Sequence, residues 1–171
     1  MDYNQTVHLP QTDFPMRAGL PKREPEMLQE MYDHDLYHKM VKRNEGKPTF
    51  VLHDGPPYAN GNIHIGTALN KILKDITIKS RNIQGQQSVY VPGWDCHGMP
   101  IEVQIEKLHG KNLPVEKMQS LARAYAMEQS NLQLADFKRL GVLGLWDNPY
   151  RTMRHDTEAA EITALRKIME K

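Results

Sequence analysis

Pro56-Pro57-Tyr58-Ala59-Asn60-Gly61-Asn62-Ile63-His64-Ile65-Gly66-Thr67 is the stretch on which the fold of this chain turns. Just upstream, Thr49-Phe50-Val51-Leu52-His53 is short and β-rich. Pro48 bounds it on one side and Asp54-Gly55-Pro56-Pro57 on the other, so it reads as a buried strand. Downstream, Leu69, Ile72, Leu73 and Ile76 fall at i, i+3, i+4 and i+7. That spacing predicts a helix from about Ile63 to Asn82 with those four residues on its core face. Gln84-Gly85-Gln86 closes the helix, and Ser88-Val89-Tyr90-Val91 reads as a second strand stopped by Pro92-Gly93. Strand, helix and strand over this distance make a βαβ unit, hence an α/β fold with parallel strands.

In an open parallel sheet, ligands sit outside the carboxyl ends of the strands. The loops 54–62 and 92–100 both follow strands of this unit, which places them side by side. The first carries Gly55, Gly61 and Gly66, where backbone can approach a ligand closely. It leads into a helix start, whose free N–H groups suit a phosphate. His64 and Thr67 are three residues apart at that start and share a face. The second loop, Trp94-Asp95-Cys96-His97-Gly98-Met99-Pro100, offers Asp95 as an anion for an ammonium group, with His97 beside it. An anion receiver next to a cation receiver fits an amino acid beside ATP. The plain alternatives stand at this level: a Gly/Pro/Asn-rich loop can be only a connection, and Asp95 can cap a turn. Cys96 beside His97 suggests a nucleophile, but neighbouring side chains in an extended loop point apart.

Around this unit the chain is punctuated rather than repetitive. Residues 1–23 read as an irregular arm, broken by Pro10, Pro15, Gly19 and Pro21. A helix is predicted from about Pro25 to Lys42, with Pro25 at its first position and Leu28, Met31, Tyr32 and Leu36 as its apolar stripe. A short helix carries Ile101, Ile105 and Leu108. A long one, from about Val115 to Leu140, carries Met118, Leu121, Ala122, Tyr125 and Leu132, with Gly141 as its cap. Trp146 to Tyr150 reads as a turn, and Trp94 and Trp146 as packing residues. A last helix from about Asp156 bears Ile162, Leu165, Ile168 and Met169, a stripe that asks for a surface. His8, His34, His38, His109 and His155 belong to no constellation.

Bulk properties set limits. The 171 residues suffice for one domain with a core. Twenty-two Lys and Arg against 21 Asp and Glu exclude a global basic field, so any polyanion contact is local. The lysines beyond the first loop read as a solvated helix face or an RNA contact. One cysteine excludes an internal disulfide framework, and a reducing cytosol fits. The polar start and the absence of a long apolar run predict a cytoplasmic protein with no membrane partner.

Pro57 to Thr67 resembles the first signature, the HIGH motif, of class I aminoacyl-tRNA synthetases. The finer pattern is similar to the isoleucyl members. Thr12-Asp13-Phe14-Pro15-Met16-Arg17, Gly55 to Gly61, Gly93 to Glu102, Phe137 to Val142 and Trp146 to Tyr150 carry that likeness in this order. The resemblance implies the first half of a Rossmann-like catalytic domain over 48–150. An N-terminal arm and helix over 1–47 precede it, and a helix over 151–171 leads toward an absent editing insertion. It implies ATP with Mg²⁺, isoleucine and tRNA(Ile) as partners, together with the remainder of a synthetase chain. Isoleucine would be activated to its adenylate and passed to the tRNA. Gly55 and Pro56 would line the amino-acid pocket, Asp95 would bind the substrate ammonium, and His97 lies beside it. Pro57, Tyr58, Ala59, Asn60, Gly61, Asn62, Ile63, His64, Ile65, Gly66 and Thr67 would form the ATP loop, with Asn70 near the adenosine and His64 and Thr67 as the catalytic pair.

Two departures stand out. Thr67 occupies the place of the family's second histidine, and a hydroxyl cannot carry positive charge. The second signature, KMSKS, is absent, so the chain by itself is expected to bind ATP weakly and to be inactive. The alternative expectation is a short, non-catalytic paralogue that binds ligand, tRNA or the complete enzyme. An unrelated nucleotide-binding α/β protein is the third reading.

Overall fold

A computed structural model describes residues 3–8 and 19–171 of the chain. The stretch Thr12 to Arg17 lies outside the described residues. Tyr3–Thr6 forms a short 3-10 turn, with the Thr6 hydroxyl donating to the Tyr3 carbonyl at 2.8 Å.

Two helices take the place of the one predicted over 25–42. Helix α1 runs Leu20–Asp33 and α2 runs Leu36–Arg43. The first therefore begins inside the segment read as an irregular arm. Pro21 sits in its opening turn, where a missing N–H costs nothing, and Pro25 lies within the helix rather than at its start. The break comes at Asp35, which adopts φ 47°, a left-handed conformation that Asp tolerates better than most residues. Its carboxylate sits 2.6 Å from His38 Nδ1, which fixes the turn locally.

The crossover helix α3 spans Ile65–Ile83, with His64 as its N-cap. Its buried face is not the predicted one. Lys71, Asp75, Ile78 and Asn82 are buried, while Leu69, Leu73 and Ile76 are 57%, 55% and 56% exposed. Only Ile72 of the expected stripe is half-buried. Both stripes have helical period. What selects the polar one is that each of its polar members finds a partner: Lys71 meets Asp54, Asp75 accepts the Leu143 N–H at 2.9 Å, and Asn82 donates to the carbonyls of Ile78 and Ser88. Asn44, at the end of α2, donates to the Asn82 carbonyl at 2.8 Å and ties the two helix ends together.

The predicted strands at 49–53 and 88–91 are extended segments joined only at separate bridges. Thr49 pairs with Gln87 and Tyr58 with Asp95, both parallel. Regular strand appears one step along, where β1 (Gly93–Trp94) pairs in parallel with β2 (Tyr150–Arg151), Gly93 opposite Tyr150 and Trp94 opposite Arg151. Segment 87–95 is thus flanked on both sides by parallel neighbours. Pro92-Gly93 does not end the strand, and Tyr150 belongs to β2 rather than to a turn. The ladder is interrupted because Pro56, Pro57 and Pro92 have no N–H, and because the Gly93 N–H donates to the Asp54 carboxylate instead of to backbone. Parallel order across α3 makes the chain an α/β protein, mainly helical with a small parallel sheet.

Helix α4 spans Met99–His109 and packs on α5, Val115–Arg139. Gly141, at φ 80°, follows the cap of α5, and its N–H reaches the Lys138 carbonyl at 2.9 Å, as expected of a left-handed C′ glycine. Of the expected stripes, Ile101 and Ile105 are buried, whereas Leu108 and Leu132 are exposed. Trp94, Phe137 and Trp146 form the aromatic centre of the core, with ring centroids 6.1 to 6.5 Å apart. Helix α6, His155–Met169, buries none of its residues, and Ile162, Leu165, Ile168 and Met169 face outward. Among the described residues no helix is long and apolar enough to cross a membrane.

Candidate functional site: two loops joined edge to edge

The first loop begins where the 49–53 segment meets Asp54. This carboxylate, with its side chain 4% exposed, accepts four hydrogen bonds. They come from Lys71 Nζ at 2.6 Å, Lys74 Nζ at 2.5 Å, the Tyr90 hydroxyl at 3.2 Å and the Gly93 N–H at 2.8 Å. Burial alone would raise its pKa. The two ammonium groups and the Gly93 N–H outweigh burial and hold it below the ordinary carboxylate value. Lys71 pays more heavily: burial pulls its pKa down, and Asp54 restores only part. Lys71 also donates to the Tyr90 hydroxyl and lies over the rings of Tyr90 and Phe137. Burial and the Asp54 charge push the Tyr90 phenol well above its usual value.

Past Asp54, the loop joins the second loop directly. The Asp95 N–H donates to the Pro57 carbonyl at 2.8 Å, and the Ala59 N–H donates to the Asp95 carbonyl at 2.8 Å. Gly93 allows the approach, since a Cβ there would stand 3.2 Å from Pro56 Cβ and 3.1 Å from the Tyr150 ring. The two loops therefore lie side by side, as expected. Ala59 is fully buried in the core, Pro56, Pro57 and Asn60 are half-buried, and Gly55 and Tyr58 are exposed. Asn60 donates to the Pro100 carbonyl and accepts from the Tyr125 hydroxyl, so it ties both loops to α5.

At the far end of the loop, Asn62, His64, Ile65 and Gly66 are exposed, while Ile63 packs on the core. His64 Nδ1 accepts the Gly66 N–H at 3.1 Å. That bond assigns the imidazole proton to Nε2, which leaves a donor at the helix start. A Cβ at residue 66 would stand 2.9 Å from His64 Cε1, so any larger residue there displaces the imidazole from this position. Thr67 is half-buried and Asn70 exposed on the first turns of α3.

In the second loop, Asp95 Oδ1 accepts the His97 N–H at 3.3 Å and the Thr152 hydroxyl at 3.4 Å. The residue is thus the turn former that the plain reading describes, with Oδ2 left for another partner. The His97 ring points to α6, where Nε2 lies 3.6 Å from Glu158, itself paired with Arg123. Cys96 turns inward and is buried, and burial raises its thiol pKa. His97 is exposed, so the two do not form a nucleophilic pair.

Sequence reading missed Asp54, Lys71, Lys74, Tyr90 and Gln133. Gln133 is 4% exposed on α5. It accepts the Trp94 indole N–H at 3.0 Å and donates to the carbonyls of Tyr58 and Gly61 at 3.1 and 2.9 Å. Gln129 accepts the Gly61 N–H at 3.0 Å. The signal was available only in part: two lysines spaced three apart behind an Asp-Gly-Pro-Pro run.

Residues 26–171 match the family model of tRNA synthetases class I (I, L, M and V). The chain is 60% identical over all 171 residues to the isoleucine--tRNA ligase of Bordetella pertussis, and covers 18% of that protein. It is 61% identical over 165 residues to that of Cupriavidus necator, covering 17%, and 58% identical over 169 residues to that of Stutzerimonas stutzeri, covering 18%. The chain thus spans about a fifth of the length of the curated relatives it matches. The paired loops, the histidine-capped helix start and a match across six-sevenths of its length place this chain in the class I tRNA synthetase family, among the sequences similar to isoleucine--tRNA ligases.

Proposed function

We propose that this stretch of chain is the part of an isoleucine--tRNA ligase that receives isoleucine and ATP. Residues 48–150 serve as the first half of a Rossmann-like catalytic domain, with 1–47 as arm and helix and 151–171 as a following helix. The observation that supports this most is the edge-to-edge pairing of the loops through Pro57, Ala59 and Asp95. It sets the loop that leads into the histidine-capped helix start against the segment that carries the Asp95 carboxylate, an arrangement that suits a zwitterion beside a polyphosphate.

In this reading Gly55 and Pro56 line the amino-acid pocket, and Asp95 holds the ammonium through Oδ2, with His97 at the rim. The loop from Pro57 to Thr67 carries the nucleotide, with Asn70 toward the adenosine. An isoleucine carboxylate oxygen attacks the α-phosphorus. The bond from that phosphorus to the bridging oxygen breaks, and pyrophosphate leaves with the electron pair. No side chain becomes covalent. His64 Nε2–H donates to a phosphate oxygen as charge grows there. The aminoacyl group then passes to a terminal ribose hydroxyl of tRNA(Ile), in a cytoplasmic protein completed by the remainder of the synthetase. Mg²⁺ bound to the nucleotide would supply positive charge that offsets the charge on the leaving pyrophosphate.

Titration of the chain with ATP and with a non-hydrolysable isoleucyl-adenylate analogue tests the pocket: saturable heat with the analogue supports it, and none counts against it. Thr67 favours a second reading, a non-catalytic paralogue. A chimera in which this chain replaces the matching residues of the B. pertussis relative separates the two. Isoleucine-dependent pyrophosphate exchange marks a competent site, and silence marks the paralogue. In the active case Thr67→His speeds adenylate formation by a factor corresponding to about 2.7–4 kcal/mol, the worth of one charged donor at a growing oxyanion. Equal rates defeat that expectation.

A further inference from the structure

The loop 54–62 is gripped at its two ends by unlike machinery. At the start, Asp54 binds Lys71, Lys74 and the Gly93 N–H, which draws the base of the second loop against Pro56. Lys74 Nζ also lies 3.5 Å from the Gly55 carbonyl. This clamp is ionic and stands on α3. At the far end, buried Gln133 holds the carbonyls of Tyr58 and Gly61 and takes the Trp94 indole N–H. That clamp is neutral and stands on α5. Pro57 and Ala59, on either side of Tyr58, are pinned by backbone pairing with Asp95.

We propose that Asp54 and Gln133 are separate positioning residues, Asp54 setting the Gly55–Pro56 end that meets the amino acid and Gln133 setting the Tyr58–Gly61 end that meets the nucleotide. The proposal rests on the isoleucine-activation reading above. Neither side chain contacts substrate in that reading. Each acts through the backbone it holds, where a misplacement of about 1 Å costs roughly a hundredfold in rate.

The test is a double dissociation in the chimera, using pyrophosphate exchange normalised to titrated active sites. Asp54→Asn is expected to raise the KM for isoleucine tenfold or more and to leave the KM for ATP within twofold. Gln133→Met is expected to do the reverse. Where either does not fold, Lys71→Met and Gln133→Glu replace them. A role in stability alone lowers the number of active sites and moves neither KM, and that result overturns the proposal. Both KM values rising together in each variant overturns it equally. If the unsubstituted chimera does not exchange pyrophosphate, the activation reading has failed instead, and the clamps are then decided in the 171-residue chain by NMR. Asp54→Asn should speed exchange of the Gly93 amide tenfold, and Gln133→Met that of the Trp94 indole, each leaving the other proton unchanged. Protection unaltered in both, or lost together, refutes independent clamps.

Discussion

Asp54 gathers two lysines, a phenol and a backbone N–H on one buried carboxylate. Its folded pKa is depressed, so its contribution is present above the unfolded value of about 3.9 and is lost as pH falls through the lower folded value. Asp54→Asn leaves Lys71 buried without a counter-charge and should cost about 3–5 kcal/mol at pH 7. Lys71→Met should cost less, because the carboxylate keeps Lys74, Tyr90 and Gly93. Urea unfolding at pH 7 and at a pH well below the ordinary carboxylate value checks both. The gap between wild type and Asp54→Asn must narrow at the acid end, and a constant gap would refute the assignment. Lys71 shows why this residue was illegible beforehand. A lysine on a helix is ordinarily solvated, and only the three-dimensional meeting with Asp54 makes its burial affordable.

Element by element, legibility followed local signals. The bounds of α3 and α5 and the start of α6 are legible within a residue or two, and α4 falls around Ile101, Ile105 and Leu108, because Pro and Gly punctuate the chain there. The split between α1 and α2 was missed, since a left-handed Asp35 leaves no spacing signature. The strands were displaced because prolines and a side-chain acceptor take over ladder positions, which no propensity scale records. The convergence of the two loops was legible from topology alone, while the clamps that hold them were not, because their members come from α3 and α5. The inverted face of α3 has the sharpest consequence. Leu73→Gln should change the stability of the chain by no more than about 0.5 kcal/mol, as at any exposed position. Ile78→Ala should cost about 2–5 kcal/mol, as for a filled core site. Chemical denaturation of both variants decides which stripe is buried, and the reverse ranking would restore the periodicity-based reading.

At the scale of the molecule, Leu69, Leu73 and Ile76 on α3 and Ile162, Leu165 and Ile168 on α6 leave much apolar surface in water. A net charge of +1 supplies little mutual repulsion between copies. The chain should therefore bind an environment-sensitive apolar dye and self-associate as its concentration rises. The triple variant Leu69→Gln, Leu73→Gln, Ile76→Gln should weaken both, as measured by fluorescence and sedimentation. A variant that behaves like the wild type would show that α3 is not the adhesive face.

The one cysteine of the sequence lies within the second loop with its side chain turned inward, 3% exposed, its backbone N–H held by the Thr152 hydroxyl. Alkylation of that sulfur is expected chiefly in the moments when the second loop parts from the core beneath it. Modification by a small thiol reagent therefore keeps time for those openings: a rate that climbs with reagent reports how often they occur at equilibrium, and a plateau reports how fast they come. The protein carries its own stopwatch for breathing at the site, and any ligand that bridges the two loops should slow it.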